Sequence, residues 1–263
     1  AGDAPKREAE MAFEEGTKGE VAPDAVVAQP EAGDAPKGEE KADPAAEAAA
    51  SALAEAQKRA KFTDNLPEDY EPKPGPDDHL LQHSYSFWFN RRVQGARTQE
   101  NYEKNIKRVA TFSSVELFWS YYNHMVRPND LPNTSDYHLF KKGIKPMWED
   151  EANKKGGKWI VRLRKGLASK YWEELVMALI GGQFPLSDEL CGIVISIRFQ
   201  EDIISVWNRT ATDRDAKRKI HDTLKRALSL PSNVVMEYKA HDASIKDNSS
   251  FRNTDVFRGA ERR

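Results

Sequence analysis

The stretch 158–182, KWIVRLRKGLASKYWEELVMALIGG, changes its hydrophobic period halfway along. Over residues 158–164 the side chains alternate, with Trp159, Val161 and Leu163 on one side and Lys158, Arg162 and Arg164 on the other. A period of two belongs to a strand with one dry face and one wet face. From Ser169 onward the apolar positions are Trp172, Leu175, Val176 and Leu179, which wind into one stripe of a helix. Gly181-Gly182 stops that helix, because glycine takes the left-handed turn of a helix end without a Cβ penalty. A half-wet strand followed by an amphipathic helix predicts a sheet that helices cover on one side only.

The same two patterns recur on either side. Residues 84–90 (SYSFWFN), 106–112, 191–199 (CGIVISIRF), 203–208 and 234–239 are β-branched or aromatic runs of strand length. Residues 199–203 read as the turn of a hairpin. Another helix is expected from a Ser113 cap, with Glu116 completing a capping box and Val115, Phe118, Trp119 and Tyr122 forming the apolar stripe. One more runs from a Thr212 cap through Ile220, Leu224 and Leu228 to Pro231. No strand–helix–strand spacing repeats. The expectation is an α+β fold: one mainly antiparallel β-sheet, three helices on one face, and the other face open to bind something.

The 263-residue chain is nearly neutral, with a formal charge of −2, but its two ends differ. Residues 1–78 hold about twenty acidic and about nine basic side chains and almost no aromatics, which leaves the remainder with about nine net positive charges. Such a segment buries too little apolar surface to offset its chain entropy. Residues 1–78 are therefore expected to be a disordered acidic Ala/Glu/Pro-rich tail, ending in the stiff linker EPKPGP (71–76). The folded domain is expected over 79–245, followed by a flexible tail over 246–263. A basic body suits a ligand that carries several phosphates. Cys191 is the lone cysteine, which excludes a disulfide framework and a thiolate metal cage. No apolar run is long enough to span a membrane and no signal peptide opens the chain, so no membrane partner is expected. The expected location is cytoplasmic, with the nucleus also open.

Motifs of catalysis are missing. There is no Walker loop, HExxH, GxSxG or GxGxxG, and no REx₂EE core of a Nudix hydrolase. The acidic run Glu149-Asp150-Glu151 has no second cluster with which to share a divalent metal. No catalytic residue, metal ligand or cofactor is assigned. The aromatic content says more: six Trp and eight Tyr stand among many Lys and Arg. Rings beside cations are how proteins hold unpaired bases, the ring stacking on the base and the cation taking the phosphate. Most such rings belong to cores, so position decides. In PMWED (146–150), Trp148 follows Gly143 and precedes a polar run, which makes it a loop residue. A loop tryptophan followed directly by a carboxylate is poorly explained by packing. It suits a purine pocket, with the ring stacking and Glu149 accepting the N–H groups of a guanine edge.

The run YHLFKKGIKPMWEDEANKKGGKW (137–159) resembles the eukaryotic mRNA cap-binding initiation factor family, factor 4E. The similarity continues through FSSVELFWSYYNHM (112–125), ALIGGQF (178–184) and LCGIVISIRF (190–199), and covers about residues 79–245. SFWFNRR, HMVRPNDL, RLRKGLASK and RFQEDIISVWN resemble the divergent homologous-protein branch of that family.

The resemblance implies a curved antiparallel sheet backed by three helices, with the 7-methylguanosine cap of mRNA held in the concave face. It places the methylated base between two rings, Trp148 and Tyr102, the second of which is Trp in the main branch. Methylation at N7 makes the base cationic, and a cation–π contact is worth ~0.5–2 kcal/mol. Apart from the resemblance, Tyr102 reads as an exposed loop tyrosine. Glu149 matches the carboxylate on the guanine edge. Trp207 matches the ring that touches the methyl group, although the end of an apolar strand reads equally as core. Lys158 and Arg198 match cations for the triphosphate; Lys158 is Arg in common family members, so a bidentate contact is lost. Two further phosphate lysines of the main branch fall on Gln200 and Ile203, and Lys246 in a C-terminal loop is a candidate substitute. On the opposite face His79, Val115, Trp119 and Glu174 match the site for partners that carry a YxxxxLΦ helix, such as a scaffold initiation factor or a 4E-binding repressor.

Three classes of function compete. A cap-binding module that controls translation fits the aromatic and basic content. A cap-processing enzyme lacks its metal-binding carboxylates, and a protein-only scaffold would have no use for the Trp148–Glu149 pair. The first is expected; a cap-binding repressor that competes with the main initiation factor is its alternative form.

Overall fold

The computed structural model describes residues 70–92, 99–231 and 233–257, so residues 1–69 of the tail expected over 1–78 lie outside the described residues. Alternation builds the sheet. Its strands are β1 Leu80–Arg91, β2 Ile106–Ser114, β3 Ser135–Lys141, β4 Gly157–Leu163, β5 Leu190–Ile197, β6 Asp202–Asn208, β7 Met236–Ala240 and β8 Asp255–Phe257. They lie in the order β2-β1-β3-β5-β6-β4-β7-β8 with antiparallel neighbours throughout. Helices α2 Val115–Tyr122, α3 Ala168–Ile180 and α4 Arg214–Ala227 pack on one face. There Trp159, Val161 and Leu163 meet Trp172, Leu175, Ile220 and Leu224 in the main core, as the alternation of β4 and the stripe of α3 require. Two short helices, α1 Gln99–Asn105 and α5 His241–Asp247, and two single 3-10 turns, Pro128–Asp130 and Ser187–Glu189, complete the described elements. None of the helices among the described residues is long and apolar enough to cross a membrane.

The other face is polar, and strand register decides what stands next to what. Directly opposed residues of antiparallel neighbours point to the same side. One row across the sheet runs Asn90, Asp136, Ser196, Ile203, Arg162. The next runs Trp88, His138, Val194, Ser205, Ile160, Glu237, and the third Ser86, Phe140, Gly192, Trp207, Lys158, Lys239. Gly192 is required in the third row, because a Cβ there would lie 2.4 Å from the Phe140 ring. Its absence lets Phe140 and Trp207 meet edge-on with centroids 5.3 Å apart.

Several expectations need correction. Ser114, not Ser113, caps α2, accepting from the Leu117 N–H at 3.2 Å. Glu116 does not close a capping box; its carboxylate takes the backbone N–H of His79 instead. Asp213, not Thr212, caps α4 through the Ala216 N–H at 2.9 Å. The boundary placed after residue 245 falls inside α5, and β8 pairs with β7 beyond it, so ordered structure continues into 246–257. Strand β3 and helices α1 and α5 carry too short or too polar a pattern to announce themselves.

Candidate functional site

The connection from β3 to β4 is a loop of turns, and it is held from within. The buried Asn153 amide donates to the carbonyls of Lys145 at 2.8 Å and Met147 at 2.7 Å. Asp150 accepts from the N–H groups of Lys145 and Ala152, both at 2.9 Å. At the loop's base a Cβ on Gly156 would lie 1.9 Å from the Asn208 carbonyl oxygen, so the GGKW turn needs glycine there. Trp148 and Glu149 are thus carried at the crest of a rigid loop. The Trp148 ring packs over a second cluster on the polar face, made of Phe140, Ile144, Cys191, Val194 and Trp207. Glu149 is half-buried, and among the described residues no hydrogen bond or ion pair engages its carboxylate.

Trp207 is buried, with its indole Nε1 unpartnered among the described residues. The His241 ring lies tilted against it, with centroids 4.2 Å apart, and donates from Nδ1 to the Asn153 carbonyl at 2.8 Å. Burial drives the His241 pKa down to about 3, so the ring is neutral. Tyr102 lies in α1 rather than in a loop, half-buried, and its hydroxyl donates to the Pro146 carbonyl at 3.1 Å. Burial raises this hydroxyl far above the usual tyrosine range, so it stays a donor. A Lys145–Glu103 pair at 3.3 Å joins α1 to the same loop.

The expected cations fare differently. Lys158 is only 2% exposed, with its ammonium 5.5 Å over the Trp207 ring and 4.6 Å over Phe251. Burial first, then the nearby Arg92 and Lys239, lower its pKa to about 7. Arg198 is committed to the protein, donating to Asp136 at 2.6 Å and to the carbonyls of Ser135 and Ile197. Burial alone would raise Asp136, but Arg198 and Arg92 hold its carboxyl below the usual range. Lys246 lies in helix α5, exposed and paired with Asp242 at 3.3 Å, rather than in a loop. Lys239 went unnoticed in the sequence; it is buried beside Lys158, with its ammonium 2.6 Å from Asp247 and bonded to the Arg252 carbonyl. Its place next to Glu237 in a short strand was the available signal.

On the helix-covered side the stripe of α2 is divided. Phe118 and Tyr122 are buried, whereas Val115 is 36% and Trp119 38% exposed. The Trp119 ring stands edge-on to Phe118 at 4.9 Å, with much of its surface outward. His79 joins this surface, its carbonyl accepting from the Val115 N–H and its Nδ1 lying 2.7 Å from Glu116. Glu116 thereby raises the His79 pKa. Glu174, on α3, is half-buried and paired with Lys170 at 2.7 Å.

A one-sided antiparallel sheet with a rigid Trp–Glu loop over its polar face is the architecture of a known class: the chain belongs to the eukaryotic initiation factor 4E family, whose description matches residues 80–256. Within that family it is 53% identical over 176 residues to the translation initiation factor NCBP of Oryza sativa subsp. japonica, across 67% of this chain and 77% of that one. It is 47% identical over 222 residues to NCBP of Triticum aestivum, across 83% and 94%. Among solved structures, Ascaris suum eIF4E-3 with m7G cap superposes with a TM-score of 0.62 at 36% identity, over 70% of this chain and 99% of that one. The complex of C. elegans eIF4E-3 with the 4E-binding protein Mextli and cap analog superposes with a TM-score of 0.61 at 39% identity, over 64% and 96%.

Proposed function

We propose that this protein binds the 7-methylguanosine cap of mRNA on the polar face of its sheet and regulates translation initiation through partners on the helix-covered face. One observation carries the reading: Trp148 and Glu149 stand together on an internally braced loop, and the Glu149 carboxylate has no partner among the described residues. Trp148 is the stacking ring, with Tyr102 the second, positioned through its hydroxyl on Pro146. The methylated base is cationic, so both rings attract it as charge and as surface. The two oxygens of Glu149 accept the N–H groups of the guanine edge, and Trp207 floors the pocket beneath Trp148. Lys158 faces the phosphates. Arg198 serves them only as far as Asp136 releases it, and Lys246 stands farther out, on α5. His79, Val115, Trp119 and Glu174 take a YxxxxLΦ helix on the other side of the sheet. A role in initiation belongs in the cytoplasm. Retention on 7-methylguanosine resin but not on unmethylated guanosine resin is the expected result. Equal retention on both would overturn the assignment, because the charge of the base would then play no part.

Ile203 tests the phosphate arrangement. Register places it on the polar face between Ser196 and Arg162. Ile203→Lys is expected to tighten methylguanosine triphosphate more than the monophosphate, and to steepen the salt dependence by roughly 0.7 for one added phosphate contact. Fluorescence titration of both ligands at two salt concentrations measures this. An equal gain for both ligands would mean that the new ammonium does not reach the β- and γ-phosphates.

Lys158 makes triphosphate binding depend on pH. Its pKa is lowered to about 7, so the ammonium is present below that pH and is lost above it. Affinity for the triphosphate is therefore expected to fall as pH rises from 6 to 8.5, with proton uptake on binding near and above pH 7 and little at pH 6. Lys158→Arg, which keeps its charge throughout, should flatten the profile. A wild-type profile as flat as that of the variant would remove Lys158 from the phosphate site.

A further inference from the structure

Residues 249–252 follow helix α5 and are flanked by two residues in the left-handed conformation, Asn248 at φ 46° and Asn253 at φ 52°. What this segment touches is a set of cations. The Phe251 ring stands 4.6 Å over the Lys158 ammonium, and the Phe251 carbonyl accepts from Arg162 at 3.3 Å. The next carbonyl, of Arg252, accepts from the Lys239 ammonium. Lys158 and Lys239 are directly opposed across β4 and β7, and Arg162 lies farther along β4 on the same polar face. One short segment thus covers or bonds three cations of the sheet.

Packing does not account for this placement. Phe251 belongs to neither hydrophobic cluster, although phenylalanine is among the residues most often found in cores. The remaining ties of the segment and its flanks are polar. Thr254 donates to Glu237 at 2.7 Å, Asn253 to Asp247 at 3.1 Å, and the Arg252 N–H to Ser249 Oγ at 3.2 Å. Such a segment can leave the sheet without opening a core. Its chemistry imitates that of a bound polyphosphate. Backbone carbonyls, like phosphate oxygens, only accept hydrogen bonds, so those of Phe251 and Arg252 occupy donors that a triphosphate would use. The ring shields an ammonium whose residue is only 2% exposed. A phosphate reaches that ammonium only when the ring moves.

We infer that residues 249–252 form an autoinhibitory strap, which competes with the phosphates of the cap for Lys158, Lys239 and Arg162 and is displaced when they bind. The inference rests on the cap-binding reading above. Affinity for a phosphorylated ligand is then reduced to the fraction of molecules in which the strap is open.

Two measurements on the full chain test the strap. In limited trypsin digestion followed by mass spectrometry, m7GTP should speed cleavage of the Arg252–Asn253 bond, whose carbonyl Lys239 holds in the free protein. In calorimetric titration, Phe251→Ala should bind m7GTP roughly two- to thirtyfold more tightly than wild type, the range of one cation–π contact. It should gain nothing for 7-methylguanosine, which has no phosphate. Protection of the Arg252–Asn253 bond by m7GTP overturns the strap, because the segment would then close over the ligand instead of yielding to it. So does a folded Phe251→Ala variant whose m7GTP affinity is unchanged or weakened, or whose gain is equally large for the nucleoside. Should that variant fail to fold, the digestion of wild type decides. A wild type that binds no methylated guanosine ligand overturns the cap reading itself, and this inference with it.

Discussion

Trp148→Ala should remove retention on cap resin while leaving the protein folded. Stacking on one aromatic ring is worth ~1–3 kcal/mol per base, and the cationic base adds ~0.5–2 kcal/mol. Together these amount to a loss of roughly tenfold to several thousandfold in affinity. The fold should survive because the loop is braced by Asn153 and Asp150 rather than by the Trp148 ring, which is only half-buried. Glu149→Gln should act differently. An amide accepts at one oxygen only, so binding persists weakly and the preference for guanine over adenine falls. Affinity chromatography and thermal melting, run together, separate the two effects. Cap retention by Trp148→Ala equal to that of wild type would remove this loop from the site. A large fall in melting temperature would instead show that the ring is needed for the second cluster.

Trp119→Ala should abolish binding of YxxxxLΦ peptides with cap affinity unchanged. A buried aromatic anchor at an interface commonly contributes about 2 kcal/mol or more, which is roughly thirtyfold. Trp119 is 38% exposed in the free protein and meets the core edge-on at Phe118 and Tyr122, so truncation leaves no large cavity. The sheet separates α2 from the Trp148 loop, with Phe118 on one side and Trp207 on the other. Independent titrations with a cap analogue and with a YxxxxLΦ peptide provide the check. Simultaneous loss of both would mean that Trp119 supports the fold, and the partner assignment would fail.

The divided stripe of α2 shows where sequence reading reaches its limit. Val115, Phe118, Trp119 and Tyr122 have the same helical spacing, but two are buried and two face outward. Periodicity reports that a helix has an apolar side, not how much of that side the rest of the chain covers. Strand β3 escaped notice for a related reason. Its seven residues, SDYHLFK, are all buried, but Asp136 and His138 face the polar side of a central strand and break the apolar pattern. The surroundings of the cations are equally illegible in the sequence. Arg198 looks like a free phosphate ligand in the sequence, but Asp136, 62 residues away, holds it.

What was legible in the sequence is local. The alternation of residues 158–164, the stripe and glycine stop of α3, and the Trp–Glu pair of the loop each lie within one contiguous window. Their physics is the periodicity of the backbone and the chemistry of neighbouring side chains. Strand register, which the sequence does not display, joined Trp88 to His138, Trp207 to Lys158 and Lys158 to Lys239. Those pairings determine burial, and burial determines charge. Lys158 titrates near 7 because the assembled sheet removes water from an ammonium that its own neighbours in sequence would have left solvated.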